Sequence, residues 1–167
     1  MGQPAVYENY FDRYTKLVSE KNIPAAFNGQ DKALNDFLAG VSEEKANYAY
    51  EEGKWTLKEM LQHLIDAERV FCYRAMCIAR RETVNLPGFD ENGYAANSDA
   101  NRRSWADLAE EMKALRTATK LLFRSFSDEM LNIEGSFNNT ESRAGRLGFI
   151  IVGHTYHHIT VAEERYL

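Results

Sequence analysis

Histidines are the residues of this sequence best suited to chemistry, and three of the four fall close together near the end of the chain. His154 and His158 are four residues apart in "GHTYHHITVAEERYL", so on a helix they share one face and both imidazoles can reach a single ion. His157 is three residues from His154 and could take the place of His158. A third ligand would have to come from elsewhere, and the remaining histidine is His63.

Two interpretations of these histidines are open at this point. Three histidines from two helices, with positions left for water, would form a catalytic metal site rather than a closed structural one. Alternatively, they are partly buried core residues with one hydrogen bond each, because a histidine pair at this spacing is weak evidence when taken alone. The clustering of histidines in a chain that has only four favours the metal.

Charged residues near the histidines could complete an active site. Asp66 lies three residues after His63 and could orient its imidazole. The candidates for a general base are acidic residues of this helix and of the long loop: Asp66, Glu68, Asp90 and Glu91. Arg74 is on the same side of the helix as His63 and could bind an anionic group of a substrate or form a buried ion pair. The alternative for each carboxylate is a solvated or salt-bridged surface charge.

Aromatic residues could line the same site. Phe89 and Tyr94 belong to the loop "LPGFDENGY", which we expect to cover the site, so both are candidates for substrate contact. Trp55 and Trp105 are assigned to packing, since most aromatic residues at helical spacing belong to the core.

Helical periodicity dominates the chain, and two-residue alternation is almost absent, which predicts an all-α fold. We expect a short opening helix and four longer ones, over residues 6–18, 24–40, 56–81, 104–126 and 140–166. Thr56 and Glu59 form a capping-box pattern at the start of the second long helix. The sequence therefore predicts one four-helix bundle domain over residues 1–167, with a long crossover, residues 82–103, between the second and third long helices.

Composition limits the classes of partner. A net charge of −5 and a pI near 5.4 argue against nucleic acid, and no apolar run is long enough to cross a membrane. The N-terminus lacks the pattern of a secretory signal, so we expect a cytoplasmic protein. Cys72 and Cys77 are too far apart along one helix for a disulfide and are expected to be free thiols.

Three stretches taken together resemble one known family. "GKWTLKEMLQHLIDAERVFCYRAMCIARRE", "LPGFDENGY" and "GHTYHHITVAEERYL" occur in the order typical of the DinB superfamily. This superfamily contains bacterial four-helix proteins, among them YfiT-like metal-dependent hydrolases and bacillithiol S-transferases. The likeness covers nearly the whole chain after about residue 24.

The resemblance implies a ligand set and a range of activities. It assigns one divalent transition metal ion, zinc or nickel first and iron or manganese next, to His63, His154 and His158, and leaves His157 as a neighbour that is not a ligand. It implies hydrolysis, or transfer of a low-molecular-weight thiol, on a small-molecule substrate by a homodimer. The alternative is a non-catalytic helical binding or stress-associated protein that retains a structural or vestigial metal site.

Overall fold

The computed structural model describes residues 10–167, and its secondary structure is mainly α-helical. The four long helices are α2 (Ile23–Gly40), α4 (Leu57–Ala79), α6 (Trp105–Arg124) and α8 (Ala144–Arg165). The short elements are α1 (Asp12–Thr15), α3 (Glu43–Ala46), α5 (Glu91–Asn97), a 3-10 turn (Ala100–Arg102), α7 (Asp128–Leu131), β1 (Glu134–Phe137) and β2 (Thr140–Arg143). The predicted opening helix is seen as α1, and its residues 6–9 lie outside the described residues.

Local sequence signals set the starts of the long helices. Thr56 accepts a hydrogen bond from the Glu59 backbone, and the Glu59 side chain accepts one from the Thr56 backbone, so the predicted capping box begins α4. Ser104 caps α6 by accepting from the backbone of Asp107. These caps satisfy backbone N–H groups that have no partner within the helix.

The long helices form a bundle in which α2 and α4 each pack between α6 and α8. The start of α6 lies beside the start of α4, since Thr56 contacts Asn101, and beside the end of α2, since the Trp105 indole donates to the Leu38 carbonyl. Helices α4 and α6 therefore run parallel. Residues 80–104 must travel back along the bundle between them, which confirms the predicted four-helix fold with a crossover.

The apolar core consists of two clusters separated along the bundle axis. One cluster contains residues from the first halves of α2 and α8 and from the second half of α4. The other contains residues from the second halves of α2 and α8 and from the first half of α4. Buried polar residues from all four long helices lie between the clusters: Gln30, His63, Glu68, Arg116, His154 and Thr155. Polar groups at this depth need partners, so this layer is the part of the core with the most demanding geometry.

A β-hairpin corrects one sequence prediction. The last long helix was expected to begin at Thr140, but residues 140–143 form β2, which pairs antiparallel with β1, and α8 begins at Ala144. The turn residues Asn138 and Asn139 both have positive φ, which matches a tight hairpin turn of the type that asparagine tolerates. The hairpin also pairs with the crossover through a bridge between Leu86 and Phe137.

Both cysteines are free thiols, as their spacing predicts. Burial raises the pKa of Cys72 to about 11, which keeps this thiol protonated and unreactive at neutral pH. Among the helices of residues 10–167, none is both long and apolar enough to span a lipid bilayer.

Candidate metal centre

Helices α4 and α8 bring three histidines to one point in the bundle. The Nε2 atom of His154 is 3.1 Å from Nε2 of His63 and 3.1 Å from Nε2 of His158. Candidate ligand atoms of the three rings all lie within 4.8 Å of one another. The helical spacing of four residues accounts for the pair on α8, and the packing of α4 on α8 supplies the third ring.

This arrangement fits a metal ion better than a set of hydrogen bonds. A neutral imidazole Nε2 is either a donor or an acceptor, so His154 Nε2 cannot form a full hydrogen bond with both neighbours. Two nitrogen ligands of one tetrahedral ion, each at 2.0–2.1 Å, lie about 3.3–3.4 Å apart, close to the spacing of these rings. Three nitrogen ligands leave at least one coordination position open.

Electrostatics keep the three imidazoles neutral, which is the form that binds metals. Burial lowers the pKa of His63 to about 4. Burial, reinforced by the neighbouring histidines, lowers the pKa of His158 to about 3 and that of His154 well below its ordinary value. The rings are therefore unprotonated at neutral pH.

Acidification is expected to destabilise the chelator-treated, metal-free protein. In the unfolded chain His63 has a pKa near 6.5, whereas in the fold its pKa is about 4, so the unfolded state takes up the proton first. Stability is therefore lost as the pH falls below about 6.5. Between pH 7 and pH 5.5, His63 alone should lower the free energy of unfolding by about 1 kcal/mol.

Urea unfolding at several pH values checks this expectation, with His63→Leu as the matched variant. The variant should lose less stability between pH 7 and pH 5.5 than the wild type, because leucine takes up no proton. Equal losses in the two proteins would show that burial does not hold His63 in its neutral form.

Aromatic rings surround the cluster. The Trp55 ring lies 4.9 Å from the His63 ring, and the Tyr14 ring meets the His154 ring edge-on at 5.0 Å. His157 is not one of the three converging residues: its ring contacts those of His158 and Tyr14, with centroids 5.0 Å and 5.6 Å apart. The structure thus places His158 in the cluster and leaves His157 out of it, a choice that sequence spacing alone could not make.

A cavity of about 350 Å³ leads from the cluster toward the crossover segment. His63 and His154 form part of one wall. The remaining lining residues come from α1 and the two residues before it, from α4, from the crossover and from the hairpin: Tyr10, Phe11, Tyr14, Ala67, Phe71, Arg74, Phe89, Asp90, Glu91, Asn138 and Thr140. This volume is at the lower end of the range for small-molecule sites.

Of the predicted acidic site residues, Asp90 lines the cavity and Asp66 does not. Asp66 does not line the cavity: its carboxylate accepts a hydrogen bond from Gln62 at 2.9 Å and lies 3.9 Å from Arg69. Because Asp66 lies three residues after His63, its side chain is rotated about 60° from that of His63 around the helix axis. This rotation places Asp66 on the side of α4, away from the cavity. Asp90 does line the cavity, and it also caps α5 by accepting from the backbone of Gly93.

Two of the three residues predicted to contact substrate lie at the cavity. Arg74 and Phe89 line it, on the side of the crossover. Tyr94 is about half exposed and reaches the site only through its ring contact with Phe89, at 5.2 Å between centroids. Tyr94 is therefore not part of the cavity wall.

Several lining residues were not identified from the sequence. Tyr14 lies far from the histidine motifs, and only the packing of α1 against α8 brings it to His154. Ala67 could have been found, because it lies four residues after His63 on the same helix face and its small side chain leaves space.

Curated relatives carry names that concern metals. Two proteins named "Putative metal-dependent hydrolase" match, one from Geobacillus kaustophilus at 29% identity over 76 residues and one from Oceanobacillus iheyensis at 24% over 68 residues. These matches cover 46% and 41% of this chain, and 43% and 39% of the relatives. The chain thus matches less than half of the length of either relative.

The fold has a counterpart among solved structures. YfiT from Bacillus subtilis, described as "a probable metal-dependent hydrolase with an unusual four-helix bundle topology", superposes with a TM-score of 0.72. The superposition covers 98% of this chain and 90% of YfiT at 15% sequence identity, which establishes a shared fold. A family model described as the DinB superfamily matches residues 26–162, most of the sequence. This chain therefore belongs to the DinB superfamily.

Proposed function

We propose that this protein is a metal-dependent enzyme that acts on a small molecule, with His63, His154 and His158 holding one divalent transition metal ion. The observation that carries the proposal is the convergence of three histidine rings, two of which, His63 and His154, line a cavity. Hydrolysis is the activity we favour, since the curated relatives and YfiT bear names of that class.

The ligand set suits particular ions. Three imidazoles without a carboxylate favour zinc or nickel, with iron and manganese as further candidates. An ion of this kind, when bound, supplies a Lewis acid and lowers the pKa of water or of a thiol, which yields a nucleophile at neutral pH. Because the three ligands are neutral, they leave the full positive charge of the ion available for this purpose.

Proton transfer falls to the acidic residues of the cavity. Asp90 and Glu91 line the cavity and have exposed side chains. Asp66 accepts a hydrogen bond from Gln62 outside the cavity, so we assign it no role in proton transfer. We assign Asp90 the role of proton acceptor, because its position as the cap of α5 fixes its carboxylate at the cavity. Tyr14 packs edge-on against His154, and Trp55 packs at a tilt against His63, so both rings hold the histidines in place.

Thiol transfer is the second candidate activity. Zinc and nickel bind thiolates well, and a site without carboxylate ligands favours such ions, so the same centre could activate a low-molecular-weight thiol for attack on an electrophile. The substrate would again be a small molecule that fits the cavity. We further propose that the protein acts as a homodimer in the cytoplasm.

Elemental analysis of untagged protein, together with single histidine variants, tests the proposed metal site. We expect about one zinc or nickel ion per chain in the wild type, and less than a tenth of that in His63→Ala and in His158→Ala. His157→Ala is the matched control: it removes a neighbouring histidine of α8 that lies outside the cluster, and it should retain the metal.

Circular dichroism of each variant shows whether loss of metal reflects loss of fold. A wild-type protein that binds no ion after incubation with zinc, nickel, iron or manganese would contradict the enzyme proposal and favour a non-catalytic helical protein. Equal loss of metal in His157→Ala and His158→Ala would contradict the ligand assignment.

A further inference from the structure

Arg74 is a buried cation at the far end of the cavity from the histidines. Its side chain is 3% exposed and lines the cavity wall. Its surroundings are aromatic: the guanidinium carbon lies 4.6 Å from the centroid of the Phe137 ring and 5.9 Å from that of Phe89. A cation in such a place normally has a carboxylate partner.

Arg74 has no such partner in the part of the chain that the structure describes. No Asp or Glu carboxylate of residues 10–167 forms an ion pair with it, although its cavity neighbours include Asp90 and Glu91. One terminal nitrogen donates to the Pro87 carbonyl at 2.7 Å, while the buried Nε has no hydrogen-bond partner. The guanidinium thus retains an unused donor in a low-dielectric site, where an anion would be bound strongly.

The placement of Arg74 relative to the histidines sets the size of a ligand. His63, Ala67, Phe71 and Arg74 follow one another along one face of α4 and all line the cavity. The Phe71 ring lies 5.7 Å from the guanidinium carbon of Arg74 and 6.0 Å from the His154 ring, so the guanidinium and this imidazole are less than about 12 Å apart. Ala67 leaves the space between them open.

We propose that the cavity binds a small molecule with a carboxylate group, which pairs with Arg74 while the reactive group of the molecule lies at the three histidines. This inference rests on the proposed function and adds a substrate class to it. A planar carboxylate can accept from Nε and a terminal nitrogen of the guanidinium together. Asp90 and Glu91 at the rim disfavour a doubly charged phosphate, since Arg74 is the one cationic side chain among the described residues that line the cavity.

Bifunctional thiols test both ends of the cavity in one molecule. Isothermal titration of the zinc-loaded protein would compare 6-mercaptohexanoate with 6-mercaptohexan-1-ol, which has the same chain without the charge. We expect the carboxylate to bind at least tenfold more tightly, and we expect this preference to disappear for the short pair mercaptoacetate and 2-mercaptoethanol, which cannot reach Arg74. Tight binding of both six-carbon thiols with equal affinity would overturn the inference.

An Arg74→Met variant assigns the preference to the guanidinium, since methionine retains the apolar stem and loses the charge. The six-carbon thiols should bind this variant with affinities within twofold of each other. An undiminished preference for the carboxylate in Arg74→Met would contradict the assignment. If the variant does not fold, the comparison of ligands on the wild-type protein still decides the question.

A measurement without metal separates this inference from the proposed function. Hexanoate should raise the melting temperature of the metal-free protein, whereas hexan-1-ol and hexyl phosphate should raise it less. If the thiols bind neither tightly nor selectively but hexanoate stabilises the protein, the metal proposal fails and the anion site stands. If thiols bind through zinc but hexyl phosphate protects better than hexanoate, the metal proposal stands and the carboxylate inference fails.

Discussion

Replacing Arg116 with methionine is expected to lower the free energy of unfolding by about 3–5 kcal/mol. Arg116 on α6 and Glu68 on α4 form a bidentate pair, with Nε 3.0 Å from Oε1 and Nη2 2.9 Å from Oε2. Their side chains are 4% and 2% exposed. Methionine fills much of the volume but leaves the Glu68 carboxylate buried without its counter-charge, and that uncompensated charge accounts for the loss.

The pair belongs to a network that links all four long helices. Arg116 also donates to the Gln30 side chain on α2, at 2.6 Å, and to the Thr155 hydroxyl on α8, at 3.0 Å. Gln30 in turn donates to the Val152 carbonyl at 2.6 Å. These contacts lie one turn or less from His154, so the network also fixes the helix that carries two of the histidines.

Urea unfolding measures the effect, with a double variant and a surface variant as controls. Glu68→Leu combined with Arg116→Met removes both charges, so it should recover most of the lost stability. Lys32→Met breaks an ion pair whose side chains are 85% and 63% exposed, and it should change little. A loss in Arg116→Met no greater than that in Lys32→Met would show that the buried pair does not stabilise the fold.

The helices were predictable because their signals are local. Apolar periodicity and side-chain caps, such as the pair of Thr56 and Glu59, act within a few residues of each other and can be read directly from the sequence. The crossover was predictable from its length, since a segment of some twenty residues between helices can run the length of a bundle. The family comparison confirms the predicted membership of the DinB superfamily.

The hairpin was missed because its strands are only four residues long and mostly polar. Such short strands show no clear alternation, and their pairing depends on the turn at Asn138 and Asn139 and on contact with Leu86 of the crossover. The contact of Leu86 with Phe137 joins segments about fifty residues apart, so no local pattern indicates it.

The parts of the site that depend on residue spacing within one helix were predictable. The parts that depend on packing between helices were not. His154 and His158 share a face by their spacing, and that face meets His63 in the structure. Glu68 of α4 pairs with Arg116 of α6. The sequence did not indicate Arg116 as the partner, because that choice depends on how α4 and α6 align.

Gly153 marks a contact that only the absence of a side chain allows. Here α1 packs directly on the backbone of α8. A β-carbon at position 153 would lie 2.0 Å from the Tyr14 carbonyl oxygen and 2.4 Å from its carbonyl carbon. Both atoms are backbone, so a substitution must move α1 rather than rotate a side chain.

Changing Gly153 to alanine is therefore expected to displace α1 and to lower the free energy of unfolding by about 3 kcal/mol, despite the better helix propensity of alanine. Because Tyr14 packs on His154, the displacement should also open the cavity next to the histidines. Urea unfolding gives the stability, and hydrogen exchange should show faster exchange of the α1 amides. Gly40→Ala is the matched control, since a β-carbon there meets nothing within 4 Å. Protection of α1 equal to that of the wild type in Gly153→Ala would contradict the role assigned to this glycine.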